Sequence, residues 1–281
     1  MGDEGHKNCK EKMKQAIKKM LGLAAVLSAS VNANAYDFEA DGMFYNILSQ
    51  DDKTVEVTYR DTEYGSYAGD VAIPEQVTYN NESYRVTSIG HFAFYICGEL
   101  TSVAIPSSIT LIDDLAFLHC DELTAVYIDD LSAWMNIDII ASQFYSYSPL
   151  YYAHNLYLDG ELVTDLVIPD GTTEIKDHVF EGGRCFKSVT IPNSVTFIGK
   201  QAFSGCTGLT AVNISDLSAW MNIDFATSAS NPLYTPTNVY HNLYLNGELV
   251  TNLVIPDGTT EIKDYAFAYG NFKSVTIYPA A

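Results

Sequence analysis

The stretch Ser188–Ile214 reads SVTIPNSVTFIGKQAFSGCTGLTAVNI and contains a near-copy of its own beginning. Its first four residues, Ser188-Val189-Thr190-Ile191, return 23 residues later as Ala211-Val212-Asn213-Ile214. A fixed period of ~20–30 residues is typical of solenoid proteins, in which each repeat forms one coil. Because a single coil cannot bury its apolar side chains alone, the period predicts an array of stacked coils.

Each part of the repeat predicts a local structure. The alternation in Ser188–Ile191 is that of a strand with Val189 and Ile191 on one side, and Pro192 ends the strand because it has no N–H. Gly199 is interpreted as a turn residue with positive φ. The Ala202–Cys206 segment is expected to form a helical turn on the outer side of the coil.

The same unit recurs along the chain, with two longer versions. Pairs equivalent to Ala202-Phe203 stand at Ala93-Phe94, Ala116-Phe117, Val179-Phe180 and Ala266-Phe267. The long units run from about 128 to 168 and from about 214 to 255, and both contain DLSAWMNID. That motif predicts a short helix in which Leu131, Trp134 and Met135 share a face. Asp159-Gly160 and Asn246-Gly247 predict β-hairpins, since both loop residues need positive φ.

LTSVAIPSSITLIDDLAFLHC (Leu100–Cys120) and SVTIPNSVTFIGKQAFSGC (Ser188–Cys206) resemble BspA-type leucine-rich repeats. The resemblance covers roughly residue 86 to the end. It implies an α/β repeat fold: a right-handed leucine-rich-repeat solenoid, mostly β, with a parallel concave sheet, short helical turns on the convex side and β-hairpin inserts. It also implies an exported bacterial protein associated with a surface or host, since some relatives bind matrix proteins or promote adherence. The family motif consists of core residues, so it does not indicate which residues of this chain would bind a partner.

The N-terminal region is predicted to differ from the repeats. Residues 1–35 are interpreted as a cleaved signal peptide, with basic residues before a short apolar run and Ala33-Asn34-Ala35 at the cleavage site; the true start would then be Met13. Residues 36–85 are expected to form a β-rich N-terminal cap, and residues 86–281 the solenoid. The last strand, Ser274–Ile277, is expected to be an open edge.

Charge narrows the choice of partners. The whole chain has a net charge of −20. The predicted signal peptide, residues 1–35, holds six of the fifteen basic and three of the thirty-five acidic residues, so its removal leaves a net charge of −23. Such a chain is expected to bind neither nucleic acid nor anionic membrane. Insertion into a membrane is not expected, because the apolar run is shorter than the roughly 20 residues of a spanning helix. The expected state is a secreted or surface-attached monomer without a cofactor.

The residue types that could bind a metal or catalyse a reaction mostly recur at the repeat period. Cys97, Cys120 and Cys206 stand three residues after the repeat's Phe, which favours buried thiols over disulfides. His154 and His241 occupy matching positions, which favours a scaffold role over a ligand or base. Asp113-Asp114 and Asp129-Asp130 favour a solvated face over a calcium or acid–base site. Trp134 and Trp220 favour core packing over a sugar-stacking platform. No catalytic residue and no metal ligand is predicted.

The outward strand positions are the candidate binding surface, because solenoids expose an extended face there. They are small and polar apart from one tyrosine: Ser102, Ala104, Tyr127, Ser188, Thr190, Asn213 and Thr276. The leading hypothesis is a non-enzymatic exported protein that binds a protein or glycan on host or neighbouring cells. A spacer that presents another domain is the alternative, and a glycan-binding protein or hydrolase is a third.

Overall fold

The computed structural model describes residues 35–141, 148–234 and 241–278. Over these residues the chain is mostly β, and its parallel strands form a solenoid of about seven coils, as predicted. The predicted signal peptide lies outside the described residues, apart from Ala35. In the ranges that are described, no helix is long and apolar enough to cross a membrane.

The first strands are antiparallel and come before the regular coils. They are β1 (Phe38–Ala40), β2 (Met43–Ser49) and β3 (Thr54–Thr58), and β3 then pairs in parallel with the hairpin strand β6 (Glu82–Ile89). The other hairpin strand is β5 (Gln76–Tyr79). The segment is therefore rich in β-strands, as the sequence predicts. The placing of a domain boundary at residue 85 stays a prediction.

One strand from each coil enters what we call the front sheet, which has three hydrogen-bonded sections. The first contains β4 (Gly69–Ala72), β7 (Leu100–Ile105), β9 (Ala125–Ile128), β11 (Leu156–Leu158) and β12 (Glu161–Leu162). The second contains β13 (Asp165–Val167), β15 (Ser188–Thr190), β17 (Ala211–Ile214), β19 (Asn242–Leu245) and β20 (Glu248–Leu249). The third contains β21 (Asn252–Val254) and β22 (Ser274–Thr276).

The sections are separated by the two predicted hairpins. Within the first two sections all pairs are parallel except β11 with β12 and β19 with β20, which are antiparallel. Asp159 and Asn246 have φ of 50° and 51°, and the glycines that follow them are also left-handed. The duplicated Asp-Gly and Asn-Gly turns therefore fold as their residue types predict.

A second set of short parallel strands runs behind the front sheet and was not predicted. Its members are β8 (Leu111–Ile112), β10 (Asp138–Ile139), β14 (Glu174–Ile175), β16 (Phe197–Ile198) and β18 (Asp224–Phe225). β6, β8 and β10 pair in sequence, and so do β14, β16 and β18. These segments are only two residues long, so their sequence carries too little alternation to indicate a strand.

Helices occur in the long coils. They are α1 (Leu131–Met135), α2 (Pro149–Ala153), α3 (Leu217–Met221) and one turn of 3-10 helix at Ser228–Ser230. Asp130 and Asp216 cap α1 and α3, and each carboxylate accepts hydrogen bonds from two backbone N–H groups. These caps explain why DLSAWM starts a helix at both places.

The outer segments of the short coils differ from the prediction in two respects. Residues 200–205 form hydrogen-bonded turns and not a helical turn, because Gln201 and Gly205 both have positive φ. Gly199 does not have positive φ, so its interpretation as a left-handed turn residue was wrong. It is required for another reason: a Cβ there would lie 2.5 Å from the backbone nitrogen of Asp177 in the preceding coil.

The core runs along the solenoid as a ladder of identical positions. Phe94 stacks on Phe117 with ring centroids 4.8 Å apart, and Phe180 stacks on Phe203 at 5.4 Å. The thiol of Cys120 donates to the carbonyl oxygen of Phe94 at 3.1 Å. The four cysteines of the described ranges are free and buried, in agreement with the predicted thiols.

Candidate binding face

Backbone register aligns one outward-facing side chain, exposed or half-buried, from every front strand into a row, which we call the front row. In the first section the row contains Ala72, Ala104, Tyr127, Tyr157 and Leu162. It continues in the second section as Val167, Thr190, Asn213, Tyr244 and Leu249. It ends in the third section with Val254 and Thr276. Five of the seven predicted surface residues therefore lie in this row: Ala104, Tyr127, Thr190, Asn213 and Thr276.

The other two predicted residues, Ser102 and Ser188, lie in the neighbouring row, two residues before their front-row counterparts. Their hydroxyls already donate to carboxylates of the adjacent strand. Ser102 Oγ lies 2.7 Å from Asp70 Oδ1, and Ser188 Oγ lies 2.6 Å from Asp165 Oδ1. Hydrogen bonds from Ser102 and Thr101 lower the pKa of the Asp70 carboxyl. These serines bridge strands and have less capacity left for a ligand.

The front row is more apolar than the sequence suggested. Tyr127 and Tyr157 stack with ring centroids 4.7 Å apart, and Tyr127 is 37% exposed. Next to them in the chain, Leu162 is 41% exposed and Val167 is 58% exposed. We call these four residues the first apolar patch. It includes three side chains that the sequence reasoning did not select.

A second patch repeats the first one 87 residues later. Tyr244, Leu249 and Val254 stand in the positions of Tyr157, Leu162 and Val167. Leu249 and Val254 are exposed, and with Leu217 and Leu245 they border a cleft of about 340 Å³. The duplicated ELVT and LVIP segments contain the apolar residues of both patches. Their sequence does not show which of these residues face outward, because that depends on the register of the hairpins.

Carboxylates follow the strands at the end where the parallel front strands terminate, which we call the carboxyl edge. Asp159 N donates to Ile128 O, so the residues after β9 and β11 lie side by side. Nine exposed acidic residues stand within three positions after a parallel front strand, and two of them, Glu161 and Glu248, also begin the hairpin strands β12 and β20. The nine are Glu75, Asp129, Asp130, Asp159, Glu161, Asp170, Asp216, Glu248 and Asp257. The described residues of this edge include no Lys or Arg.

A cleft of about 420 Å³ lies at the N-terminal end of the front row, beside Ala72. Asp41 and Asp70 line it together with Tyr45. The Tyr45 hydroxyl is buried without a hydrogen-bond partner in the described structure. Burial, together with the Asp41 charge, raises the pKa of Tyr45 to about 12. The cleft therefore combines two carboxylates, Asp41 and Asp70, with a neutral tyrosine hydroxyl.

The duplicated histidines and tryptophans have structural roles. His154 Nδ1 lies 3.1 Å from Gly182 O, and His241 Nδ1 lies 2.7 Å from Pro232 O. Burial lowers the pKa of both histidines. Trp134 and Trp220 are each 1% exposed, so the predicted core packing is confirmed and neither indole can stack on a sugar. No cluster of three or more metal-ligating side chains occurs within the described ranges.

Known proteins place the coils in a family. A model of the BspA-type leucine-rich repeat region matches residues 72–162, 154–241 and 237–280, in six copies. The chain belongs to the BspA-type leucine-rich repeat proteins. The predicted resemblance is thereby confirmed for most of the solenoid. The match begins at residue 72, within the segment predicted as a cap.

Solved leucine-rich repeat proteins are similar to this BspA-type chain. One from Bacteroides ovatus is 22% identical, with 86% of this chain and 77% of that chain covered and a TM-score of 0.44. One from T. pallidum is 20% identical, with 85% and 81% covered and a TM-score of 0.36. A leucine-rich cell surface protein from Faecalibacterium prausnitzii is 17% identical, with 90% and 97% covered and a TM-score of 0.30. No curated protein matches the chain.

Proposed function

We propose that this BspA-type protein is a non-enzymatic binding protein whose front row contacts another macromolecule. The observation that carries the proposal is the exposure of aromatic and aliphatic side chains on the front sheet. Tyr127, Leu162, Val167, Leu249 and Val254 are all at least 37% exposed, although each lies in a strand that is hydrogen-bonded into the front sheet. Aromatic side chains are enriched in protein interfaces, and the buried core of an interface is more apolar than the rest of the surface.

Export and attachment to host or neighbouring cells are part of the proposal. The predicted signal peptide supports export, and one structural neighbour is a cell surface protein. The excess of acidic over basic residues supports a partner other than nucleic acid or anionic lipid. Expression in a bacterial host with and without residues 1–35 tests export. Only the longer chain should leave the cytoplasm, and equal retention of both chains would refute it.

A binding screen tests the front row. The full chain is presented to extracellular matrix proteins, mucin and a glycan array, and any saturable partner is then measured with two variants. Leu162→Ser combined with Leu249→Ser should weaken binding by about tenfold, since each exchange removes an exposed apolar anchor. Leu48→Ser is the matched control, because Leu48 is 51% exposed but lies in β2.

The outcomes separate the proposal from the alternatives. Equal weakening by the control and by the front-row variant would contradict the front row as the contact surface. Binding of glycans alone would favour a glycan-binding protein. No saturable partner in the whole screen would favour a spacer role.

A further inference from the structure

We propose that the partner of the front row is a cationic polypeptide segment that also carries apolar side chains. This inference rests on the proposed function and names the class of the partner. It joins two features of one surface, the apolar patches in the middle of the sheet and the carboxylates along one side of it.

The two features lie in direct register at the hairpins. Leu162 pairs with Tyr157 in the front row, and Glu161, the residue before it, pairs with Leu158 at the carboxyl edge. The second hairpin repeats this arrangement with Leu249 opposite Tyr244 and with Glu248 beside it. An extended or helical segment that covers the row would therefore place its flanking side chains against carboxylates.

The carboxylates are close enough to act together. Adjacent front strands are ~4.8 Å apart, and the screening length at physiological salt is ~8 Å, so the charges of neighbouring strands add. Asp129 and Asp159 are such a pair, because the residues before them pair in β9 and β11. Their mutual repulsion favours a cationic partner and disfavours an anionic one.

The opposite side of the sheet has a different charge. Lys187 and Lys273 precede β15 and β22, and their backbone N–H groups donate to Thr164 and Thr251 of the preceding coils. They share that side with the exposed acidic residues Glu99 and Glu122 and with the strand carboxylates Asp70 and Asp165. This side therefore carries both signs of charge, whereas the described carboxyl edge carries acidic residues and no basic ones, and the difference gives a cationic partner a preferred orientation.

Peptide binding tests the inference. Three labelled peptides of about 20 residues are titrated against the full chain by fluorescence anisotropy. The first has Lys with Leu and Phe, the second has Glu in place of every Lys, and the third has Ser in place of Leu and Phe. The first should bind at least about tenfold more tightly than either of the others, and its affinity should fall as NaCl rises from about 50 to about 300 mM.

Two triple variants with the same change of net charge identify the surface. Asp129→Asn, Glu161→Gln and Glu248→Gln together should weaken binding of the first peptide by about tenfold and reduce its salt dependence. Within the described part of the chain none of these three side chains caps a helix or hydrogen-bonds to the backbone, in contrast to Asp130 and Asp216. The control combines Glu99→Gln, Glu122→Gln and Glu174→Gln, which lie off the carboxyl edge, and it should change the affinity by less than about twofold.

Every other outcome overturns the inference. Equal losses in both triple variants would mean general attraction to an acidic protein. Equal binding of the Glu peptide, or no binding of any peptide, would mean that the partner is not cationic. If Leu162→Ser weakens a partner found in the screen while the edge variant does not, the proposed function stands and only the charge assignment fails.

Discussion

The indole Nε1 of Trp134 donates a hydrogen bond of 3.0 Å to the backbone carbonyl oxygen of Val179, which follows 45 residues later. Trp220 makes the equivalent contact with Ala266 at 2.8 Å. Val179 and Ala266 occupy the same place in the repeat, before its Phe. Each tryptophan therefore ties the helix of a long coil to the outer turn of the following coil.

Trp134→Phe should destabilise the protein by about 1–3 kcal/mol, because it leaves the buried Val179 carbonyl without its donor. The free energy of unfolding in urea measures the effect. Trp220→Phe should cost less, because Asn231 Nδ2 also donates to the Ala266 carbonyl oxygen, at 3.2 Å, and remains in that variant. Unchanged unfolding in both variants would contradict a structural role for these hydrogen bonds.

Val189 and Val275 occupy the same inward strand position but differ in burial. Val189 is 0% exposed between its neighbouring coils, whereas Val275 in β22 is 54% exposed. In the described residues β22 pairs with β21 alone. Val189→Ala should reduce the free energy of unfolding by about 2 kcal/mol, and Val275→Ala should change it by less than about 0.5 kcal/mol. Equal effects would show that position 275 is covered in solution.

The buried thiols should be inert in the native protein. Burial raises the pKa of Cys97 to about 11, and it also raises the pKa of Cys120, Cys185 and Cys206. At a pH of about 8 they are therefore protonated, and the thiolate is the reactive form. In a Cys9→Ser variant, a thiol reagent should modify them only after unfolding. Rapid modification of the folded chain, or a mass that reveals disulfides, would contradict this assignment.

The protein should become less stable as the pH is lowered through the range where histidine gains a proton. Burial lowers the pKa of His241, so the unfolded chain binds a proton near pH ~6.5 while the folded chain stays neutral. The free energy of unfolding should therefore decrease as the pH falls through ~6.5, and this contribution should become constant below the folded pKa.

His241→Asn tests that assignment, because an amide can still donate to the Pro232 carbonyl but does not titrate. Urea unfolding at a pH of about 7.5 and about 5.5 should show a smaller difference for the variant than for the natural chain. The same difference in both proteins would assign the pH dependence to other groups.

The repeat, the strand alternation and the core all follow from the order of residue types along the chain. The 23-residue period brings Val189 and Val212 into register, and the buried and exposed sides of those strands follow directly from their alternation. The same reasoning anticipated the Asp-Gly hairpin and the burial of Trp134. These features are local, since each depends on residue types within one coil and on the stacking of identical coils.

The outward direction of the hairpin side chains and the grouping of the charges depend instead on how the strands pair. Leu162 is exposed because β12 folds back antiparallel to β11, and a shift of one residue would have turned it to the other face. The carboxyl edge gathers residues that are far apart in the chain, such as Asp129 and Glu248, and it exists only because the parallel strands end at one side of the sheet. The face was assigned from the period, but its apolar and acidic character depends on strand register, which sequence spacing alone does not determine.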